Sequence, residues 1–331
     1  MHLAITIDTE EDNWSDYESV PVLSNIGRLS ELQNLFDRYK VKPTYLITYP
    51  VATDKNSISI LRKIMEDDRC EIGAHLHPWN TPPFEEERTP ENTMLFNLDE
   101  DLQYRKLESL HSKIVENFRF EPVTFRSGRW GFDQTVARNI HRLGYKVDTS
   151  VSPYSSWEKY HGPDFSEYSP MPQKIQMGNS GNPDSWILEV PATIGFLQDN
   201  YDLCNKCLKT ISGSALRHFR LIGILDKLNV INKVCLSPEP DNAEKMIRLA
   251  ESMKRNGYQI LNMFLHSTSL QHGLNHFTKT KEEAEELTRR IDKFLEYASA
   301  SNIRPIKLSE SLKLQLQAGK YQVGNQGRID P

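Results

Sequence analysis

The sequence predicts an α/β fold with mostly parallel strands. Short apolar runs alternate with amphipathic helical stretches about seven or eight times, which is the pattern of βαβ units. The 331 residues are 38% hydrophobic and 26% charged, as expected of a globular protein that buries a sizeable core. The chain shows no internal repeat. A (β/α) barrel and a doubly wound sheet both satisfy this alternation.

The predicted strands are short apolar runs rich in β-branched and aromatic residues. They begin with LAITID near the N-terminus and are bounded by turn residues or by charged helical stretches. They cover residues 3–8, 43–50, 70–76, 123–126, 146–151, 186–194, 234–238 and 259–267, with a last short strand and turn in 303–312.

The predicted helices are recognised by apolar residues that recur at helical spacing, as Ile26, Leu29 and Leu32 do. They cover residues 26–40, 57–68, 101–118, 133–144, about 203–228, about 241–256 and about 280–300. Three long loops remain, at 78–97, 152–185 and 268–279. In α/β folds, loops at the carboxyl ends of strands build the functional site.

Composition excludes several classes of protein. The net charge of −5 argues against general affinity for nucleic acid, which needs a basic face. The sequence contains no run of about 18 apolar residues, so membrane insertion is not expected. The N-terminus lacks the pattern of a signal peptide, and the four cysteines are too few for a disulfide scaffold, so a cytoplasmic location is expected. The Cys204–Cys207 pair alone is poor evidence for zinc.

Titratable residues collect where the predicted strands end. Such residues are costly beside a strand core unless they are paired or coordinated. Because carboxyl ends of parallel strands meet at one face, we expect these residues to lie together. They are Asp8, Glu10, His75, His77, Arg126, Asp148 and His266.

His75 and His77 have the spacing of two ligands on one side of an extended segment. Residues i and i+2 of a strand point the same way, and Pro78 favours an extended His77. With a carboxylate from the first strand they form a two-His, one-carboxylate set, which leaves open positions for water and substrate. Asp8 and His266 are then available as a base and an acid.

These residues lie in five ordered segments that resemble those of the polysaccharide deacetylases, carbohydrate esterase family 4. The matches run from residue 3 to about residue 310. The segments are TIDTEED (6–12), GAHLHPW (73–79), FRSGRWG (125–131), KVDTSVS (146–152) and LHS (265–267).

The resemblance implies a distorted (β/α)7-type barrel over residues 1–315, with 316–331 as a flexible C-terminal tail. It also implies roles for single residues. Asp8 corresponds to the catalytic base and Arg126 to the arginine that holds it. His266 corresponds to the general acid and Asp148 to the aspartate that orients it.

Two departures from the family pattern concern the metal ligands. Thr9 replaces the usual second aspartate, so we assign the carboxylate ligand to Glu10, with Glu11 and Asp12 as alternatives. The two histidines, His75 and His77, are two residues apart where the family has four. The ligand geometry therefore differs from the family pattern at both the carboxylate and the histidines.

The predicted activity is metal-dependent hydrolysis of an N-acetyl group on a sugar or glycan precursor. The expected cofactor is one divalent ion, Zn²⁺ before Co²⁺, Ni²⁺ or Mn²⁺, bound by Glu10, His75 and His77. Trp130 and Trp79 are expected to bind substrate because aromatic faces stack on sugars, although packing within loops explains each equally well. Trp14 also lies near these segments. The oligomeric state is not predicted.

Two alternatives to deacetylation stay open. The same residues would serve a C–N hydrolase that acts on a small cyclic amide or ureide. The altered first and second segments would also suit a catalytically inactive carbohydrate-binding homologue. A glycosidase with two carboxylates would leave the clustered histidines unexplained.

Overall fold

A computed structural model describes residues 1–177, 185–213 and 221–318. The strands in these ranges are mostly short and buried. They are β1 (His2–Thr9), β2 (Thr44–Ile47), β3 (Glu71–Leu76), β4 (Thr124–Ser127), β5 (Val147–Asp148), β6 (Gln173–Gln176), β7 (Trp186–Glu189), β8 (Ile194–Phe196), β9 (Lys233–Cys235), β10 (Ile260–His266) and β11 (Arg304–Pro305).

The helices alternate with these strands and several begin at polar caps. Asp54 and Asp99 accept backbone N–H bonds at two helix starts, and Thr280 and Glu283 form a capping box at a third. The helices are α1 (Leu29–Arg38), α2 (Tyr49–Thr53), α3 (Lys55–Met65), α4 (Glu100–Phe118), α5 (Gln134–Arg142), α6 (Tyr201–Ser212), α7 (Leu221–Lys227), α8 (Ala243–Arg255), α9 (Lys281–Ala300) and α10 (Ser311–Ala318).

The main sheet has the strand order β10-β1-β2-β3-β4-β5-β7-β6, with β11 also paired to β1. Its neighbours are parallel except β6 and β7, which are antiparallel. A second, two-stranded antiparallel sheet joins β8 to β9. Mostly parallel strands with helical crossovers confirm the predicted α/β class.

The barrel closes through single backbone bonds and not through a regular ladder. Thr193, beyond the end of β7, donates its N–H to Asn262 of β10 at 3.1 Å. Leu236 donates to Thr193 at 2.8 Å, and Phe264 donates to Leu236 at 3.2 Å. The segments after β7 and β9 therefore bridge the gap to β10, which gives the predicted distorted barrel.

The two faces of β1 have different surroundings. Leu3, Ile5 and Ile7 belong to the main hydrophobic core beneath the helices. Thr6 and Asp8 point to the opposite face, where they contact Arg126. Alternation along a strand thus makes the carboxyl end of the barrel interior polar.

Several element boundaries differ from those predicted. The single strand expected at 186–194 is two strands, β7 and β8, because the chain leaves one sheet and enters the other. The loop expected at 152–185 contains β6, and the strand expected at 43–50 ends in α2. The helix expected near 203–228 forms α6 and α7, with residues 214–220 outside the described part.

Most of the predicted tail at 316–331 lies outside the described residues, and the division of the chain at residue 315 stays a prediction. Among the residues that the structure describes, no helix is long and apolar enough to cross a membrane.

Candidate active site

Strand register brings the candidate residues to one end of the barrel. Asp8 is the parallel-sheet partner of His266, and His75 is the partner of Arg126. Glu10 follows β1, and its backbone N–H donates to the Ser267 hydroxyl at 3.1 Å. The ends of β1, β3, β4 and β10 therefore deliver their polar side chains to one place.

Glu10, His75 and His77 form a buried three-ligand group. One ligand atom from each lies within 4.8 Å of the others. Oε2 of Glu10 is 3.0 Å from Nε2 of His77 and 3.6 Å from Nε2 of His75. This donor set, two imidazoles and one carboxylate, could hold a divalent metal ion.

The two-residue histidine spacing works because the chain stays extended through His77. Its φ of −108° and ψ of 131° lie in the extended region before Pro78. The centroids of the His75 and His77 rings are 4.6 Å apart, and the ring planes meet at 82°. The rings therefore do not stack face to face, and both Nε2 atoms point toward Glu10. The two-residue spacing, which departs from the family pattern, thus lets both imidazole rings face the same carboxylate.

The backbone fixes the tautomer of His75. Its Nδ1 lies 3.0 Å from the Arg126 carbonyl oxygen, to which it donates. Nε2 then carries the lone pair, as a metal ligand requires. His77 is instead packed tightly against the backbone of Gly128. A Cβ at that position would lie 2.2 Å from Nδ1 of His77, so only glycine leaves room for the ring.

Two polar atoms of the Glu10–His75–His77 group lack a hydrogen-bond partner within the described part of the chain. Oε1 of Glu10 and Nδ1 of His77 are buried, and neither has a hydrogen-bond partner among the described residues. Burial raises the pKa of Glu10 to about 7, although the neighbouring His75 opposes the shift. Burial and the neighbouring His75 hold the pKa of His77 well below its usual value. A cation would stabilise the buried Glu10 carboxylate, and the neutral His77 imidazole offers it a lone pair, so these residues fit a bound metal.

The alternative carboxylates have structural partners. Glu11 accepts hydrogen bonds from Asn80 at 2.5 Å and Thr48 at 3.1 Å. Asp12 accepts from the backbone and side chains of Ser24 and Asn25. Among the described residues, Glu10 is the carboxylate that meets the two histidines.

Asp8 lies beside this group in a buried ion pair. Arg126 donates from its guanidinium to Oδ1 of Asp8 at 2.6 Å, and also to Thr6 at 2.7 Å and the Thr149 carbonyl at 3.0 Å. Burial alone would raise the pKa of Asp8, but the Arg126 charge holds it below its usual value. Asp8 is therefore an ionised carboxylate at neutral pH, with its Oδ2 3.9 Å from Nε2 of His266.

The partner of His266 is Glu239, not Asp148. Nδ1 of His266 donates to Glu239, whose two oxygens lie 3.1 and 3.0 Å away. Glu239 is not among the residues predicted for the site. It directly follows the predicted strand at 234–238, so its position at a strand end could have indicated it. The chain supplies it from the segment after β9, which is packed against the end of β10.

Asp148 has different surroundings from those expected. It accepts hydrogen bonds from the Ser150 backbone at 2.9 Å and hydroxyl at 2.8 Å, and it faces Glu189 across β5 and β7. Both carboxyls are fully buried. Burial raises the pKa of each, and Asp148 raises that of Glu189 further, so the pair retains a proton.

The two tryptophans expected at the substrate differ in their exposure. Trp79 is buried, with its ring centre 4.3 Å from that of His77, so little of its face is open to a ligand. Trp130 is half-buried and stands edge-on to Phe264 at 5.7 Å, with the Arg126 guanidinium over its ring. Trp14 contacts the site more directly, since its ring stacks on both His266 and His77.

The chain resembles several solved structures in fold, although its sequence identity to them is low. No protein-family model and no curated protein matches the chain. A protein named as a polysaccharide deacetylase from Mycobacterium smegmatis superposes with a TM-score of 0.58 at 14% identity, covering 100% of this chain and 94% of its own.

Two further solved structures show the same likeness. One named as a polysaccharide deacetylase from Pseudomonas aeruginosa PAO1 has a TM-score of 0.54 at 12% identity, covering 97% of this chain and 92% of its own. Puue allantoinase has a TM-score of 0.53 at 12% identity with the same coverages. The chain therefore has the distorted barrel fold of proteins named as polysaccharide deacetylases, as its sequence motifs predicted.

Proposed function

We propose that the protein is a metal-dependent deacetylase that hydrolyses an N-acetyl group on a sugar or glycan precursor. The observation that carries this proposal is the meeting of a Glu10–His75–His77 group with an ionised Asp8 and a Glu239-paired His266. Amide hydrolysis needs a base for water and an acid for the amine, and the site offers one of each.

Glu10, His75 and His77 would hold the metal, and Zn²⁺ suits their mixed nitrogen and oxygen donors. When bound, the ion supplies Lewis-acid polarisation of the acetamide carbonyl and a water of lowered pKa.

Asp8 takes the proton of the attacking water in this scheme. Arg126 keeps that carboxylate ionised and fixes its Oδ1, which leaves Oδ2 free toward His266. His266 then protonates the departing amine nitrogen, so that the C–N bond breaks without forming an amide anion. Glu239 stabilises the protonated imidazole that this step requires.

The proposal is tested by acetate release from zinc-loaded protein on N-acetylglucosamine, chitotetraose and nucleotide-linked N-acetyl sugars. Asp8→Asn and His266→Ala should each lower kcat by about 10²–10⁴-fold on an accepted substrate. Sugar binding without stoichiometric metal and without acetate release would instead favour the carbohydrate-binding alternative.

The likeness in fold to an allantoinase supports a second candidate, hydrolysis of a small cyclic ureide by the same residues. Allantoin belongs in the same panel, and turnover of allantoin alone would select this candidate. The cytoplasmic location stays a prediction.

A further inference from the structure

A short loop after β1, residues 12–22, closes on itself beside the site. Its ends meet where the Asp12 N–H donates to the Val22 carbonyl at 2.6 Å. The Asn13 side chain spans the interior, donating to the Val20 carbonyl and accepting from the Val22 N–H, each at 3.0 Å. The loop is thus a compact Ω-type turn whose shape is held by its own hydrogen bonds.

The base of this loop is fixed to the metal-binding strand. The buried Asp12 carboxylate accepts from the Ser24 N–H at 3.0 Å and from the Asn25 N–H at 2.9 Å. Asn25 in turn donates to the Glu10 carbonyl at 2.9 Å. The loop therefore keeps a defined position relative to Glu10, and so does the side chain that it carries inward.

That side chain is Trp14. Its ring is parallel to the His266 imidazole, with a centroid distance of 5.6 Å and an interplanar angle of 2°. It also stacks on His77 at 5.9 Å and 18°. Both ring contacts that the structure shows for Trp14 are to these histidines, so the indole spans the acid and one metal ligand.

The hydrogen bonds of the His266 ring restrain it at one edge only. Glu239 holds Nδ1, which fixes one edge of the imidazole. A tilt of the ring by rotation about its Cβ–Cγ bond would strain that single contact and would swing Nε2 away from Asp8, from which it is 3.9 Å. A flat aromatic surface against the ring face opposes this tilt, because tilting would break the stacked contact.

We propose that Trp14 is a positioning residue that holds the His266 imidazole in the plane needed for proton transfer. The inference rests on the proposed function for its kinetic consequence, while its structural consequence stands alone. Misplacement of a catalytic group by about 1 Å can cost about 10²-fold in rate. Trp14→Ala should therefore lower kcat by about ten- to a hundredfold with a smaller change in KM.

The test compares zinc-loaded wild-type protein, Trp14→Phe, Trp14→Ala and Val20→Ser in crystals and in kinetics on the acetylated sugar that wild type hydrolyses. Val20 is the matched control because it lies in the same loop and its side chain is exposed. We expect one His266 ring orientation in wild type, Trp14→Phe and Val20→Ser, and a tilted or split orientation in Trp14→Ala. Phenylalanine should restore most of kcat.

An unchanged His266 orientation in Trp14→Ala would overturn the inference, with or without measurable turnover. An altered orientation with unchanged kcat would overturn it as well. If no acetylated sugar is hydrolysed by wild type, the proposed deacetylase function fails, and the ring orientation alone then decides whether Trp14 positions His266.

Discussion

Glu239 accepts a hydrogen bond from Nδ1 of His266, with oxygens 3.1 and 3.0 Å from that nitrogen. The same carboxylate accepts from the His266 N–H at 3.0 Å and from the Ser269 hydroxyl at 2.5 Å. Burial alone would lower the pKa of His266, but the charge and hydrogen bond of Glu239 raise it to about 10. His266 is therefore protonated at neutral pH, as a general acid must be.

Glu239→Gln should lower kcat by about 10²-fold, because an amide cannot stabilise the protonated imidazole by charge. The measurement is steady-state hydrolysis of an accepted N-acetyl sugar. Asp148→Asn is the matched control, since Asp148 faces Glu189 and Ser150. We expect this variant to keep near-normal kcat. Equal losses in the two variants would return the orienting role to Asp148.

The free energy of unfolding of the metal-free protein should depend on pH through the His266–Glu239 pair. The pKa of His266 in the fold, about 10, lies above its ordinary value of 6.5. Its contribution to the free energy of unfolding is therefore fully present below about pH 6.5 and is lost as pH rises through 10. Urea unfolding should show this decline in wild type and a flatter profile in Glu239→Gln. Parallel profiles would contradict the pairing.

Metal affinity should weaken in acid because Glu10 must lose its proton to bind. Burial raises the pKa of Glu10 to about 7, although the neighbouring His75 opposes this shift. Below that pH the apparent zinc affinity should fall at least about tenfold per pH unit. Competition with a zinc-binding dye between pH 5.5 and 8 measures this. His276→Ala, in an exposed loop, should follow the wild-type curve, and pH-independent affinity would exclude Glu10 as a ligand.

Gly128→Ala should disrupt the metal site without replacing any of its ligands. The new Cβ would lie 2.2 Å from Nδ1 of His77 and 2.7 Å from the Leu76 carbonyl oxygen, so the imidazole must move. We expect bound zinc, measured by elemental analysis, to fall well below one ion per chain. Gly27→Ala is the control, because nothing lies within 4 Å of its added Cβ. Normal zinc content in both variants would show that His77 is dispensable.

Arg126→Met should destabilise the fold by about 3–5 kcal/mol, because it leaves the Asp8 carboxylate buried without its counter-charge. The ion pair is 2.6 Å long and its side chains are 1% and 7% exposed. Arg28→Met is the control, since the Arg28–Glu31 pair is half-exposed or more and should contribute under about 1 kcal/mol. Denaturant unfolding compares the two, and similar small losses would mean that Asp8 is protonated in the fold.

Much of the fold could be predicted because its signals are local. Apolar runs and helical spacing located β1, β3, β10, α4 and α9 closely. The boundaries failed where neighbours in space decide them. The stretch 186–194 reads as one strand, yet it splits because β7 pairs with β5 while β8 pairs with β9. No local pattern marks the residue at which a chain changes sheets.

The sequence by itself determined that six of the seven predicted strand-end side chains meet, since strand ends of a parallel fold converge on one face. Asp8, Glu10, His75, His77, Arg126 and His266 all lie there. Only the tertiary structure decided their partners. Glu239 and not Asp148 binds His266, and Trp14 covers it, because segments far apart in sequence pack against the same strand end. Hydrogen-bond partnership depends on distances of about 3 Å, and residue spacing along the chain does not fix such distances across it.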